Sequence, residues 1–188
     1  MKEFNELKEI FDDANKDFVT NNISLFKTGV SERTLCGALM LELQKLVSIS
    51  RFSKYHLDVE YNRNIGGKLK TIKKTINGPD LQVITIACDL ILHSRGENIL
   101  QDNLIAIEMK KSTRKAVDKN NDRVRLKCLT SDSFDNIWSY DGKSLPEHVC
   151  RYILGVYYEV NLKQNIITIE YYYKGHKVKP QLLINIQQ

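Results

Sequence analysis

The chain has 188 residues, 42% hydrophobic and 27% charged, with three prolines and nine glycines. That is enough for one domain with a buried core, too apolar for a disordered chain and too irregular for a fibrous repeat, and no apolar run reaches the roughly 18–20 residues of a membrane span. Lys and Arg number 28 against 23 Asp and Glu, a net charge of +5 that suits a polyanionic partner without requiring one. The polar start, Met1-Lys2-Glu3-Phe4-Asn5-Glu6, lacks the apolar stretch of a signal peptide. A soluble, cytoplasmic protein with a single domain over 1–188 and no membrane association is therefore expected. Cys36, Cys88, Cys128 and Cys150 are widely spaced, with no Cys-x-x-Cys and no paired His. They are expected to be reduced thiols rather than a zinc site or a disulfide framework.

In chain order, Phe4, Leu7, Ile10, Phe11, Ala14 and Phe18 fall at helical spacing and predict an amphipathic helix over 3–20. Ser31 is a good N-cap for a second helix over 31–47, with Val30 and Leu35 at the positions of a hydrophobic staple. Its apolar stripe is Leu35, Leu39, Leu43 and Leu46. The period then changes. Residues 56–62 read as a strand, and 66–80 as a basic loop carrying Lys68, Lys70, Lys73 and Lys74. Residues 83–92 and 104–110 are apolar, β-rich runs suited to strands covered on both faces. A helix over 118–129 is expected with Asp118 as its cap. Strands over 152–160 and 166–173 follow, at hairpin spacing. Three strands, a helical crossover and a further strand predict an α/β domain: a central mixed sheet flanked by helices.

The informative anomaly is charge inside the apolar runs. Asp89 interrupts Ile86-Ala87-Cys88-Asp89-Leu90-Ile91-Leu92, while Glu108 and Lys110 end Leu104-Ile105-Ala106-Ile107-Glu108-Met109-Lys110. Buried charges need partners, a metal or solvent access. Side chains alternate along a strand, so Glu108 and Lys110 project to one face and Ile107 and Met109 to the other. The chain holds two further acidic-x-Lys triplets, Glu6-Leu7-Lys8 and Asp141-Gly142-Lys143, but only Glu108-Met109-Lys110 ends an apolar strand. Glu32 shares a helix face with Leu35, Leu39, Leu43 and Leu46, which brings a third carboxylate toward the sheet. It equally suits the positive end of the helix dipole. Hard oxygen donors at Asp89, Glu108 and Glu32, without a His or Cys cluster, suit Mg²⁺ or Mn²⁺ and in-line hydrolysis of a phosphodiester, with Lys110 orienting water or stabilising the developing anion. The competing reading is a structural ion pair between Lys110 and the acids.

The arrangement resembles the PD-(D/E)xK nuclease superfamily, the restriction-endonuclease-like fold with an αβββαβ core, and small bacterial proteins of that fold. The likeness covers about 31–173, leaving an extra N-terminal helix and C-terminal strand. It is carried by Ser31-Glu32-Arg33-Thr34-Leu35, Val59-Glu60-Tyr61-Asn62-Arg63, Cys88-Asp89-Leu90-Ile91-Leu92-His93-Ser94-Arg95-Gly96 and Ile105-Ala106-Ile107-Glu108-Met109-Lys110-Lys111. The resemblance implies metal-binding acids at Asp89 and Glu108, a catalytic lysine at Lys110 and the first-helix glutamate at Glu32. It further implies a Mg²⁺-dependent deoxyribonuclease acting on DNA in bacterial defence or on a mobile element, and many such enzymes are homodimers. The chain departs from the pattern in having Cys88, not Pro, before Asp89. Pro79-Asp80 carries the literal dipeptide, but in a loop, and is set aside.

Other residues allow two readings each. Glu60 suits an accessory acid or a cross-strand ion pair. His93 and Arg95 suit phosphate contact or hydrogen bonds within their own loop. Lys68, Lys70, Lys73, Lys74 and Lys111, with Arg114, Lys115, Arg123, Arg125 and Lys127, suit phosphate neutralisation or a solvated face. Trp138, Phe134 and Tyr171-Tyr172-Tyr173 suit sheet packing better than base stacking. The rival to an enzyme is a module that keeps the nuclease fold and binds nucleic acid or protein without turnover.

Overall fold

The computed structural model describes residues 1–60, 71–75, 81–85, 88–98, 100–132 and 150–186. Three helices come first: α1 (Lys2–Asn21), α2 (Ile23–Thr28) and α3 (Glu32–Ile49). Phe4, Leu7, Phe11, Ala14 and Phe18 recur every three or four residues along α1 and are all buried, as the periodicity predicts. The short α2 is additional to the expected helices; it closes at Gly29, whose φ of 65° is the left-handed conformation that glycine adopts without strain. The Ser31 hydroxyl caps α3 by accepting from Thr34 N at 3.1 Å.

The strands are β1 (His56–Val59), β2 (Thr71–Thr75), β3 (Leu81–Thr85), β4 (Leu90–His93) and β5 (Asn103–Lys111). After them come α4 (Ala116–Thr130), β6 (Leu154–Asn161), β7 (Ile166–Tyr173) and β8 (His176–Asn185). Six of these strands form one mixed sheet in the order β1-β4-β5-β6-β7-β8, and β2 pairs with β3 separately. Every neighbouring pair in the large sheet is antiparallel except β5 with β6, which are parallel and joined through α4. A parallel pair needs such a crossover, and the helix supplies it.

Strand β5 lies at the centre of the sheet and its first seven residues are buried. Ile105, Ile107 and Met109 join Leu35, Leu39, Leu43 and the α1 aromatics in one core. Ala106 packs in a second core with Leu126, Leu129, Tyr157 and Tyr172. Alternation along β5 therefore puts α1 and α3 on one face of the sheet and α4 on the other, and gives Glu108 and Lys110 to the α4 side. Helix α4 presses close there: a Cβ on Gly155 would stand 2.8 Å from Thr130 Cγ2 and 3.0 Å from Tyr172 Cβ. On the opposite face Tyr158 donates to Asn15 Oδ1 at 2.8 Å, tying α1 to β6.

Four expectations need correction. The run over 83–92 is not one strand: among the described residues β4 finds partners on both sides in β1 and β5, while β3 pairs with β2 in a separate sheet. The basic segment over 66–80 is not all loop, since it contains β2. Helix α4 is capped at Lys115 with no side-chain cap bond, and Asp118 lies in its first turn. The single strand expected beyond the αβββαβ core is a pair: β7, where the sequence places it, and β8, which follows it and extends the sheet at its far edge. The four cysteines are free thiols, three of them buried. Among the described residues, no helix is long and apolar enough to cross a membrane.

Candidate active site

The antiparallel register of β4 and β5 sets Leu90 opposite Ile107. Continued by one residue, it brings Asp89 beside Glu108, at the end of β5 where β4 has run out. The Asp89 carboxylate takes over from the missing strand: Oδ2 accepts from Met109 N at 2.8 Å and from Lys110 Nζ at 3.1 Å. The same Lys110 ammonium lies 3.9 Å from Glu108 Oε2. The structure thus brings together Asp89, Glu108 and Lys110.

Glu108 has no exposed surface. Burial pushes its carboxyl up to about 8, against the pull of Arg125 and with repulsion from Asp89 and Asp122 adding to the rise. Oε1 is held by Arg125 Nη1 at 2.6 Å, but Oε2 has no hydrogen-bond partner among the described residues. Lys110 is raised as well, but by its neighbours rather than by burial. Burial alone would lower its pKa, yet Asp89, Glu108 and Asp122 outweigh that and raise it. Lys110 is accordingly a cation at neutral pH, suited to stabilising an anion rather than to acting as a base.

Two residues of α4 complete the cluster. Asp122 is 3% exposed; its Oδ2 stands 3.3 Å from Lys110 Nζ and its Oδ1 3.3 Å from Arg125 Nη1. Burial raises its carboxyl, while Lys110 and Arg125 oppose the rise. Sequence reasoning groups Arg125 with surface cations and passes over Asp122. A signal is present: Asp122, Leu126 and Leu129 are spaced at i, i+4 and i+7, so the acid shares the buried stripe of α4.

Glu32 is placed at the same strand end, approached from α3 on the opposite face. Its Oε1 accepts from Lys111 N at 2.8 Å and Arg114 Nε at 2.9 Å, and its Oε2 from Arg114 Nη2 at 2.8 Å. Burial alone would raise its carboxyl, but Arg114 and the Lys111 amide hold it below its ordinary value. Glu32 therefore caps the end of β5 and has Lys110 among its nearby positive charges, with its oxygens taken up by Arg114 and Lys111.

Among the outer candidates, His93 is buried and its Nε2 lies 2.9 Å from Asp58 Oδ2, which also accepts from Arg95 Nε at 2.8 Å. Glu60 pairs with exposed Arg33, at 2.6 Å. Lys111 Nζ donates to Gly29 O at 2.8 Å. Arg123 lies 3.9 Å above the Tyr157 ring and donates to both oxygens of Glu170. Lys73 and Lys74 are on β2. Lys68, Lys70, Pro79-Asp80, Phe134 and Trp138 lie outside the described residues.

Asp89 and Glu108 offer the hard oxygen donors that a divalent cation takes, and Glu108 Oε2 is buried with no hydrogen-bond partner among the described residues. Among the described residues, however, no group of three or more His, Cys, Asp or Glu stands ready to hold a metal ion. Lys110 and Arg125 pair with the acids instead. No family model, no curated protein and no solved structure matches the chain.

Proposed function

We propose that the protein is a metal-dependent nuclease of restriction-endonuclease-like architecture that hydrolyses phosphodiester bonds in DNA. The observation that carries the reading is the convergence of Asp89, from the turn before β4, with Glu108 and Lys110 from β5, around one ammonium group. The element order α3-β1-β4-β5-α4-β6, with only the last strand pair parallel, is compatible with the αβββαβ core once the β2–β3 hairpin is treated as an insertion.

Asp89 and Glu108 would hold Mg²⁺ or Mn²⁺, with Glu32 as a further acid at the strand end; Mg²⁺ commonly takes only one or two carboxylates and keeps several waters. When bound, the cation supplies charge neutralisation at the phosphate and makes a water more acidic. Lys110, charged at neutral pH, stabilises the developing anion. The insertion supports the choice of nucleic acid. Between Glu60 and Cys88 it carries Arg63, Lys68, Lys70, Lys73 and Lys74 against Asp80 alone, so four of the five net positive charges lie in this one segment. Glu60 N donates to Asp89 O at 3.2 Å, so the segment leaves and rejoins the sheet beside Asp89.

The test is cleavage of single-stranded, duplex and branched DNA in Mg²⁺, Mn²⁺ and EDTA. Metal-dependent cleavage that disappears in Lys110→Met is the expected result. The second reading, a binding module without turnover, draws on the pairing of every acid in the cluster with Lys110 or Arg125; it predicts salt-sensitive DNA binding and no cleavage by either wild type or Lys110→Met.

A further inference from the structure

Three carboxylates from three elements surround the Lys110 ammonium: Asp89 Oδ2 at 3.1 Å, Asp122 Oδ2 at 3.3 Å and Glu108 Oε2 at 3.9 Å. Of these only the Asp89 contact is a hydrogen bond; the other two oxygens are buried and have no hydrogen-bond partner among the described residues. Both unpartnered oxygens lie on the lysine side of their carboxylates. Their sister atoms, Glu108 Oε1 and Asp122 Oδ1, share Arg125 Nη1 at 2.6 Å and 3.3 Å. The ammonium thus has three N–H donors and three carboxylate oxygens around it, but hydrogen-bonds only Asp89 in this arrangement.

On the nuclease reading, on which this inference rests, a divalent cation takes Asp89 and Glu108. An ion held by these two acids would add a second positive charge beside the Lys110 ammonium, and like charges repel strongly in a water-poor site. The ammonium needs another acceptor within a small movement, and Asp122 Oδ2 is already 3.3 Å away. We infer that Asp122 is the positioning residue that receives Lys110 when a divalent cation occupies Asp89 and Glu108. Arg125, bonded to Glu108 and close to Asp122, keeps the α4 acid aligned during the exchange. Charge supports the arrangement. With all three carboxylates ionised, the state a divalent ion favours, the acids outnumber Lys110 and Arg125 by one charge; the ion turns that into an excess of one positive charge, and a phosphodiester anion restores balance. The substrate is thereby favoured in the cation-loaded form alone.

The experiment is a Mn²⁺ titration at neutral pH, read by the paramagnetic resonance signal of the free ion. It uses wild type, Asp122→Asn, Lys110→Met and the double variant, each with a thermal melt. Removing Asp122 leaves Lys110 competing for the acids, so Asp122→Asn is expected to bind Mn²⁺ about tenfold more weakly, a typical cost of losing a supporting residue. Lys110→Met is expected to bind at least as tightly as wild type. The double variant should match Lys110→Met within about twofold, because no ammonium remains to be received. Wild-type affinity in Asp122→Asn overturns the inference. An equal loss in the Lys110→Met background also overturns it, making Asp122 a direct ligand; this comparison stands even where the single Asn variant fails to fold. A wild-type protein that binds no Mn²⁺ sinks the nuclease reading itself.

Discussion

Asp89 and Glu32 accept from alternate backbone amides of one strand, Met109 N and Lys111 N, each at 2.8 Å. Amides two residues apart on a strand point to the same edge. The two acids, one from the β4 turn and one from the opposite helix layer, therefore continue the β4 side of the ladder after β4 ends. Their carboxylates complete the sheet and, by the same geometry, stand on either side of Lys110 in the sequence of β5.

This double role gives Glu32 a structural cost that a purely catalytic residue would lack. Glu32→Ala leaves Lys111 N and Arg114 without their acceptor and is expected to destabilise by about 1–3 kcal/mol in urea denaturation. Glu32→Gln, which keeps one acceptor oxygen, should lose less. Its folded pKa lies below the ordinary 4.5, so the stabilisation is present above that value and is lost as pH falls through the lower folded value. Wild type and Glu32→Ala should thus converge in stability in acid; stability curves that stay parallel through the acid range would contradict the pairing.

Glu108 has the opposite sign. Its folded value of about 8 lies above the ordinary 4.5, so between those limits the folded state binds more protons than the unfolded one. For this group stability falls as pH rises from 4.5 to about 8 in metal-free protein. Glu108→Gln should remove that slope while abolishing any cleavage. Added Mn²⁺, which favours the ionised carboxylate, should raise the wild-type melting temperature more at the alkaline end of this window than at the acid end. An equal shift at both ends would argue against an ion at Glu108.

Gly155 sits where α4 meets β6, and a methyl group there would overlap Thr130 Cγ2 and crowd Tyr172 Cβ. Gly155→Ala is expected to cost about 1–3 kcal/mol through overpacking. Adding Thr130→Ser, which removes the offending methyl, should recover part of the loss. Denaturation of the single and double variants measures this, and no recovery would locate the strain at Tyr172.

If the insertion grips phosphates, DNA affinity should fall steeply with salt. Substituting Lys68, Lys70, Lys73 and Lys74 together by Ala should flatten the log–log salt dependence by about 0.9 for each phosphate that these lysines neutralise. Fluorescence anisotropy across a salt series reads the slope. An unchanged slope would remove this segment from the interface.

Local pattern is enough for α1, α3, the body of α4, and strands β5 to β7, because each has an apolar repeat of one period and a clear terminus. The same patterning isolates Asp89, Glu108 and Lys110 as charges in apolar strands. It fails at 83–92, where a continuous apolar run looks the same whether it is one strand or two in different sheets. His93 likewise suits phosphate contact or a hydrogen bond within its own loop, and its burial against Asp58 depends on β1 lying beside β4.

Residue types and spacing along the chain determined which groups are costly to bury and which faces they share, since those follow from the helical and strand periods and from charge. Which charges meet is a different matter. Arg125 reaches Glu108 and Asp122 reaches Lys110 only because α4 crosses over β5, and Glu32 reaches Lys111 only because α3 packs on the other face. Arg125 and Glu108 are 17 positions apart, Glu32 and Lys111 are 79. Separations of that size are closed by how layers stack, and no local repeat encodes that.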